Sequence, residues 1–224
     1  MGFIINPFRF AASVDTWIDN FSSDLGWLIQ DSDQVVISGG KLNCDVVHNT
    51  SNDSASYDVS AEFGENIDDT LFYMDFQADT TGSGSGGTSI SCFGLGDSSS
   101  ATQDNVNQDA IHFTWRYRPA SGRDDIFPGS ADGKSVPRTN GTEFAATMSG
   151  QTWHYRIERQ SATACDFILY SDAWSNVQET ESETISASII NLAFIRWDKN
   201  TSTFAASPIA SDISIVKVFN GQSP

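Results

Sequence analysis

Three glutamates alternate in the run Glu179-Thr180-Glu181-Ser182-Glu183, and on an extended strand their carboxylates share one face. Facing carboxylates are the groups that glycosidic-bond hydrolysis uses as acid and nucleophile. The flanking residues are mostly serine and threonine, however, so the run reads as a solvated loop or strand edge. A second set of polar groups lies on the outer phase of two strand-like runs. In AIHFTWRYR these are His112, Thr114, Arg116 and Arg118, and in WHYRIER they are His154, Arg156 and Glu158. If the two runs are neighbouring strands, imidazole, guanidinium and carboxylate groups form a cross-strand ladder; a hydrogen-bonded solvent face is the plainer reading. Saccharide recognition needs such groups beside an aromatic platform. Of the six tryptophans, Trp115 and Trp153 fall in phase with apolar residues and read as core. Trp174, in YSDAWSNV, lies outside any clean alternation and is the surface candidate. The candidate carbohydrate-binding set is therefore Trp174, His112, Arg116, His154 and Arg156.

No nucleophile or metal motif accompanies these groups. Cys44, Cys92 and Cys165 are far apart, lack ligand spacing, and sit in strand-like runs where a thiol behaves as a small apolar group. The expectation is a chain that is not an enzyme and requires no cofactor. Asp104, Asn107 and Asp109 lack the glycine and terminal glutamate of a helix–loop–helix calcium loop. Five Asn-x-Ser/Thr sites, at Asn20, Asn49, Asn52, Asn140 and Asn200, follow from the abundance of those residues.

The 224 residues carry 29 acidic and 12 basic side chains, a net charge of −17. Such a surface repels nucleic acid and anionic membrane, so neither is an expected partner. The bases are unevenly spread. Residues 110–160 carry seven of them against five acids, a charge of +2 that leaves −19 on the rest. That island is either a contact site or arginine placed on exposed strand faces and loops.

Period-two alternation positions all these groups. Phe72, Met74, Phe76 and Ala78 share a face, as do Ile111, Phe113, Trp115 and Tyr117, and Trp153, Tyr155 and Ile157. Further strands are expected at 35–38, 41–46, 90–95, 166–170, 192–197 and 213–219. Gly39-Gly40 supplies the positive φ of a two-residue hairpin turn. In ISCFGLG the apolar phase slips between Cys92 and Phe93, which means a bulge near Gly94 or a strand buried on both faces. The stretch Pro119–Gly141, with three of the six prolines, reads as a long functional or flexible loop. Many short antiparallel strands with polar connections give one all-β domain of two stacked sheets with little or no helix, over residues 15–224. Residues 1–14 are apolar but lack a basic start, and Pro7 and Arg9 interrupt them, so they do not read as a signal peptide. They form either an assembly arm, through Phe3, Ile4, Ile5, Phe8 and Phe10, or a first strand.

The pattern resembles a known family. DNFSSDLGWLIQDSDQVVISGGKLNC is similar to the opening of concanavalin A-like, laminin-G-like jelly rolls, with Asp-x-Phe, then Trp, then a glycine hairpin. GQTWHYRIERQSATACDFILYSD resembles that family's paired strands, and SDISIVKVFNG its last strand, which returns beside the first. The resemblance spans about residues 15–220 and implies a two-sheet antiparallel jelly-roll sandwich. It does not extend to the Glu-x-Asp-x-x-Glu pattern of the family's hydrolases, which the ETESE run does not match. It also implies a structural calcium between the first and last strands, with Asp19 and Asp212 as ligands; otherwise Asp19 caps a turn and Asp212 is solvated.

The family holds lectins, hydrolases and virion proteins, so fold alone leaves function open. The arm, the absent catalytic motif and a Ser/Thr/Gly/Asn-rich composition similar to phage surface proteins point to a non-enzymatic virion structural protein. That role is a capsid decoration, head-fibre or tail-associated subunit at the virion surface, assembled in the host cytoplasm. Its partners would be other virion proteins, copies of itself and host-surface carbohydrate. The alternatives are a free carbohydrate-binding lectin-like module and a divergent polysaccharide hydrolase.

Overall fold

The computed structural model describes residues 15–30, 35–45, 54–84, 88–99, 108–133, 139–200 and 209–224. Residues 1–14, with the expected arm residues Phe3, Ile4, Ile5, Phe8 and Phe10, lie outside them, as do Asp104 and Asn107.

The described strands are β1 (Thr16–Asp19), β2 (Leu28–Gln30), β3 (Val35–Ser38), β4 (Lys41–Asp45), β5 (Ser54–Asp58), β6 (Phe72–Gly82), β7 (Ser89–Gly96) and β8 (Asp109–Arg118). They continue with β9 (Arg123–Asp132), β10 (Thr139–Asn140), β11 (Thr152–Arg159), β12 (Ala164–Tyr170), β13 (Val177–Thr184), β14 (Phe194–Asn200) and β15 (Ile209–Asn220). One helical turn, α1 (Ser60–Phe63), and a 3-10 turn at Pro119–Ser121 interrupt them. Two antiparallel sheets result. The eight-stranded sheet runs β13-β12-β11-β6-β15-β4-β3, with β1 also beside β15, and the seven-stranded sheet runs β10-β9-β8-β7-β14-β5-β2. The first strand thus lies against the last, Thr16 opposite Phe219 and Asp19 opposite Val216.

The alternating apolar faces meet between the sheets. Phe76 stacks on Tyr155 at 4.7 Å and meets Phe93 and Phe113 edge-on at 4.8 and 5.8 Å. Trp115 and Trp153 are both buried there. The Trp115 indole N–H donates to the Tyr155 hydroxyl at 3.1 Å, so these two polar groups satisfy each other within the core. Cys44, Cys92 and Cys165 are free and buried, and burial pushes the thiols of Cys44 and Cys165 up, away from thiolate chemistry.

Three local expectations resolve. Gly39 and Gly40 take φ of 62° and 75°, closing the β3–β4 hairpin with Ser38 opposite Lys41. β7 pairs without a register shift and is buried on both faces, so the phase slip at Cys92–Phe93 is not a bulge. The expected long loop from Pro119 to Gly141 is corrected: it contains β9, paired in register with β8 from Asp109↔Asp132 to Arg118↔Arg123. Charges at its start and Pro128-Gly129 in its middle hide an interior strand from any alternation rule.

Candidate functional site

The outer face of the eight-stranded sheet gathers the chemistry-bearing groups. Where Trp153, Tyr155 and Ile157 of β11 point inward, His154 and Arg156 point outward, opposite Gln77 and Asp75 of β6. Asp75 in turn stands opposite Lys217 of β15, and Tyr73 opposite Phe219. Arg156 grips Asp75 with both arms, Nε to Oδ1 at 2.6 Å and Nη2 to Oδ2 at 2.8 Å. Burial works against that guanidinium's charge, but the Asp75 carboxylate outweighs it and holds its pKa above the ordinary value. The guanidinium also lies 4.9 Å from the Tyr73 ring and 5.6 Å from that of Tyr170, and Tyr73 stacks on Phe219 at 4.0 Å.

Trp174 crosses this face from the turn between β12 and β13. Its φ is +60°, a left-handed conformation that costs a bulky residue about 1–2 kcal/mol. The turn is built to impose it. The Asp172 carboxylate accepts the N–H groups of Ser175 (3.1 Å) and Asn176 (2.9 Å) and the Ser175 hydroxyl (2.9 Å). Those bonds, the Ser175 hydroxyl first, hold the Asp172 carboxyl below its ordinary value. The Trp174 indole N–H donates to the Tyr155 carbonyl at 3.1 Å, fixing the ring. Lys217 Nζ lies 4.2 Å from the ring centroid, and His154 meets the ring edge-to-face at 4.9 Å. His154 Nδ1 is buried without a hydrogen-bond partner. Burial lowers this imidazole's pKa, with Lys217 acting the same way and Asp172 and Asp75 opposing, which favours its neutral form. The result is a half-exposed, immobilised indole rimmed by Lys217, His154, Gln77 and the Arg156–Asp75 pair.

Trp174, His154 and Arg156 therefore come together as a set, whereas the expected five-residue ladder does not form. β8 and β11 belong to opposite sheets, so His112 and Arg116 face away from His154 and Arg156. Alternation fixes which residues point outward but not in which sheet. Asp75, Lys217, Tyr73 and Phe219 join the site only through strand order. The phase of Tyr73 and Asp75 in β6 follows from alternation with Phe72, Met74 and Phe76, but the neighbours that Lys217 and Phe219 of β15 supply do not.

The expected calcium pair is also separated. Asp19 lies opposite Val216, while Asp212 lies opposite Asn43 and Asp79, farther along β15. Both Asp19 oxygens are taken, Oδ1 by the Phe21 N–H at 2.6 Å and Oδ2 by the Trp27 indole N–H at 2.9 Å. Asp212 is 40% exposed and pairs with Lys41 at 3.3 Å. Asp19 caps a turn and Asp212 is solvated; the two do not fit a shared cation. Among the described residues, no three His, Cys, Asp or Glu side chains are placed to hold a metal ion.

Glu179, Glu181 and Glu183 do share a face, on the edge strand β13, and two of them have structural work. Glu179 accepts the N–H groups of Ala145 and Ala146 at 2.7 and 3.1 Å, and Glu183 accepts that of Thr142 at 2.8 Å. Glu181 sits between them, its carboxyl pushed up by partial burial and then by its two charged neighbours. A carboxyl raised in the folded state binds its proton more tightly there than in the unfolded chain. Its contribution is therefore greatest at low pH and is lost as pH rises through the carboxylate range. Glu181→Gln is expected to stabilise the protein at pH 7 by about 0.5 kcal/mol and to leave it unchanged at pH 3. Urea unfolding at the two pH values checks this, and equal destabilisation at both would contradict it.

With this geometry in place, the relatives can be set beside it. No protein-family model matches the chain, and no curated protein matches it either. Solved structures do. The winged bean acidic lectin, complexed with methyl-alpha-D-galactose, matches with a TM-score of 0.60 at 12% identity, over 93% of this chain and 99% of the lectin. The CBM2 module of the evolved Dit of Lactobacillus casei BL23 phage J-1 matches at 0.57 and 9% identity, over 93% and 96%. The fold is the concanavalin A-like jelly roll. The Ca2+-bound exoplasmic/lumenal domain of VIP36 shares this jelly roll as well, at 0.58 and 9% identity over 94% and 91%. Alginate lyases are also among the similar structures. At such identities the likeness establishes the jelly roll and leaves its chemistry to the residues.

Proposed function

We propose that this chain is a non-catalytic saccharide-recognition domain displayed on a virion surface, where copies of itself and other virion proteins hold it. The observation that carries the recognition reading is Trp174, a residue kept in a strained left-handed conformation with its indole N–H pinned to the Tyr155 carbonyl. Strain of this kind persists where the surroundings impose it, and it concentrates at binding sites. A pyranose presents a face of C–H groups that packs on indole, while its hydroxyls match Gln77, Lys217 and the rim of Arg156 and Asp75. Because the ring is already immobilised, binding does not have to order it. Support for the display reading comes from the apolar, unpatterned residues 1–14 and the similar phage Dit module. Weak affinity per copy would be made effective by many copies.

The reading favours binding over catalysis because the facing acids, Glu179 and Glu183, are engaged with backbone amides. The test is a glycan screen of the full chain, followed by calorimetric titration of the best ligand. Trp174→Ala is expected to lower affinity at least about ten-fold, with melting little changed, since the ring lies on the outer face and alanine keeps the turn that Asp172 holds. Unchanged affinity in Trp174→Ala, or no ligand in the screen, overturns it. Protein mass mapping of purified virions tests the display half: stoichiometric presence supports it, and recovery only in the free lysate refutes it.

A further inference from the structure

Four of the six large apolar side chains exposed among the described residues fall close together in the chain: Ile18, Leu25, Leu28 and Val36, each about half exposed. They ring one end of the sandwich. There β2 closes the seven-stranded sheet, β3 closes the eight-stranded one, and the two strands meet. β1 comes to the same corner, since a Cβ added to Gly40, in the β3–β4 turn, would lie 3.9 Å from the Asn20 carbonyl oxygen just past β1. The Trp27 indole donates to Asp19 and packs on Tyr57 of β5, which holds the loop between β1 and β2 here as well.

A free sheet edge offers alternate backbone N–H and C=O groups to any extended chain, and proteins guard such edges with charge, proline or bulges. The far edge of the eight-stranded sheet is guarded, by Glu179, Glu181 and Glu183 on β13 and by the register shift between Leu169 and Tyr170. β3 has none of these. It reads Val35-Val36-Ile37-Ser38, it pairs with β4 without a shift, and no described strand lies on its other side.

Charge and chain direction identify what covers it. Residues 15–38 hold five aspartates and no lysine or arginine, whereas residues 1–14 hold Arg9 and no acid. After Pro7 the sequence is Phe8-Arg9-Phe10-Ala11-Ala12, an alternation that on an added strand sets both rings on one side and the guanidinium on the other. β1 begins at Thr16 opposite Phe219, and its other end is the one beside the β3–β4 turn. The chain ahead of Asp15 therefore starts from the end of β1 remote from β3. Reaching its own β3 demands a reversal along β1. Reaching a neighbour's demands none, and residues 1–14 can span up to about 46 Å.

We propose that residues 8–12 of a second copy add to β3 as an edge strand, with Phe8 and Phe10 packing on the apolar corner and Arg9 meeting its aspartates. The contact is heterologous, a segment of one copy on the edge of the next, so it joins copies in rings or chains. It rests on the part of the display reading in which copies hold one another. Absence of the protein from virions would refute display and leave this contact standing.

The test is sedimentation velocity of the full chain over a range of concentrations. Species larger than a monomer are expected, growing with concentration. Val36→Lys, which guards the edge, and Phe8→Ser with Phe10→Ser, which disarms the segment, should each weaken association at least about ten-fold. Mixed in equal amounts, the two variants should form a one-to-one complex, because the first keeps a working segment and the second a working edge. Should Val36→Lys fail to fold, one-to-one binding of a synthetic peptide of residues 1–14 to the Phe8→Ser/Phe10→Ser protein decides in place of the mixture. A monomeric full chain, undiminished association in the Phe8→Ser/Phe10→Ser protein, or no complex in the deciding experiment each overturns the proposal.

Discussion

Arg159→Ala is expected to lower the unfolding free energy by about 4 kcal/mol, which for many domains is a large share of the total. The strand period of β11 carries Arg159 to the inner face with Trp153, Tyr155 and Ile157, where it is 0% exposed. Its three nitrogens donate to the backbone carbonyls of Ser161 (3.2 Å), Ala162 (2.9 Å) and Ile189 (2.9 Å). It thereby ties the β11–β12 hairpin to the segment leading into β14. Burial pulls its pKa below the ordinary arginine value, and the acids Asp69, Asp68 and Asp109 act against that pull. Alanine removes the charge and its burial cost, but it leaves three carbonyls with a lost donor and a guanidinium-sized void. Arg159→Met, which fills the void without donors, should recover about half of the loss. Urea unfolding of the three proteins separates the packing part from the hydrogen-bond part. A loss below 1 kcal/mol in Arg159→Ala would mean that the carbonyls find other donors.

Arg159 also marks how far alternation can be read. The same rule that placed Trp153 and Tyr155 in the core places a charged side chain beside them, and only the structure supplies the acceptors that make this tolerable. The strands of β6, β8 and β11 were legible because each has a long apolar phase and a long polar one. β5 was not, because Ser54, Ser56 and Asp58 lend it the look of a loop; in the structure Ser54 and Ser56 are buried.

For the candidate site, legibility stopped at the single strand. His154 and Arg156 were placed outward correctly, and Trp174 was singled out by its broken phase. That Asp75 and Lys217 would meet them depends on β6 lying between β11 and β15, a long-range pairing to which no local pattern is sensitive. The separation of Asp19 from Asp212 has the same origin. Their strands do adjoin, but β15 is twelve residues long, and Asp19 lies beside Val216 while Asp212 stands on an earlier stretch of it.

Gly94 gives the clearest case of a residue whose meaning is set by its neighbours, and Gly94→Ala is expected to cost about 3 kcal/mol. The apolar phase slip around it admitted a bulge or a doubly buried strand. The structure has the second, with Gly94 opposite His112 on one side and Arg196 on the other. A methyl group there would fall inside van der Waals contact of the Ile111 carbonyl and of the His112 Cα and Cβ. Two of those three atoms are backbone, so relief requires β7 and β8 to part or their pairing to bend. Both strands lie within the seven-stranded sheet with partners on either side, which resists the adjustment.

Gly64 is the internal control. It ends α1 at φ +73°, with nothing within 4 Å of an added Cβ, so alanine there meets conformational strain alone, about 1 kcal/mol. Thermal unfolding of the two variants side by side should place Gly94→Ala well below Gly64→Ala. Equal melting temperatures for the two variants would show that β7 gives way cheaply, and the close approach would then explain nothing about why glycine stands there.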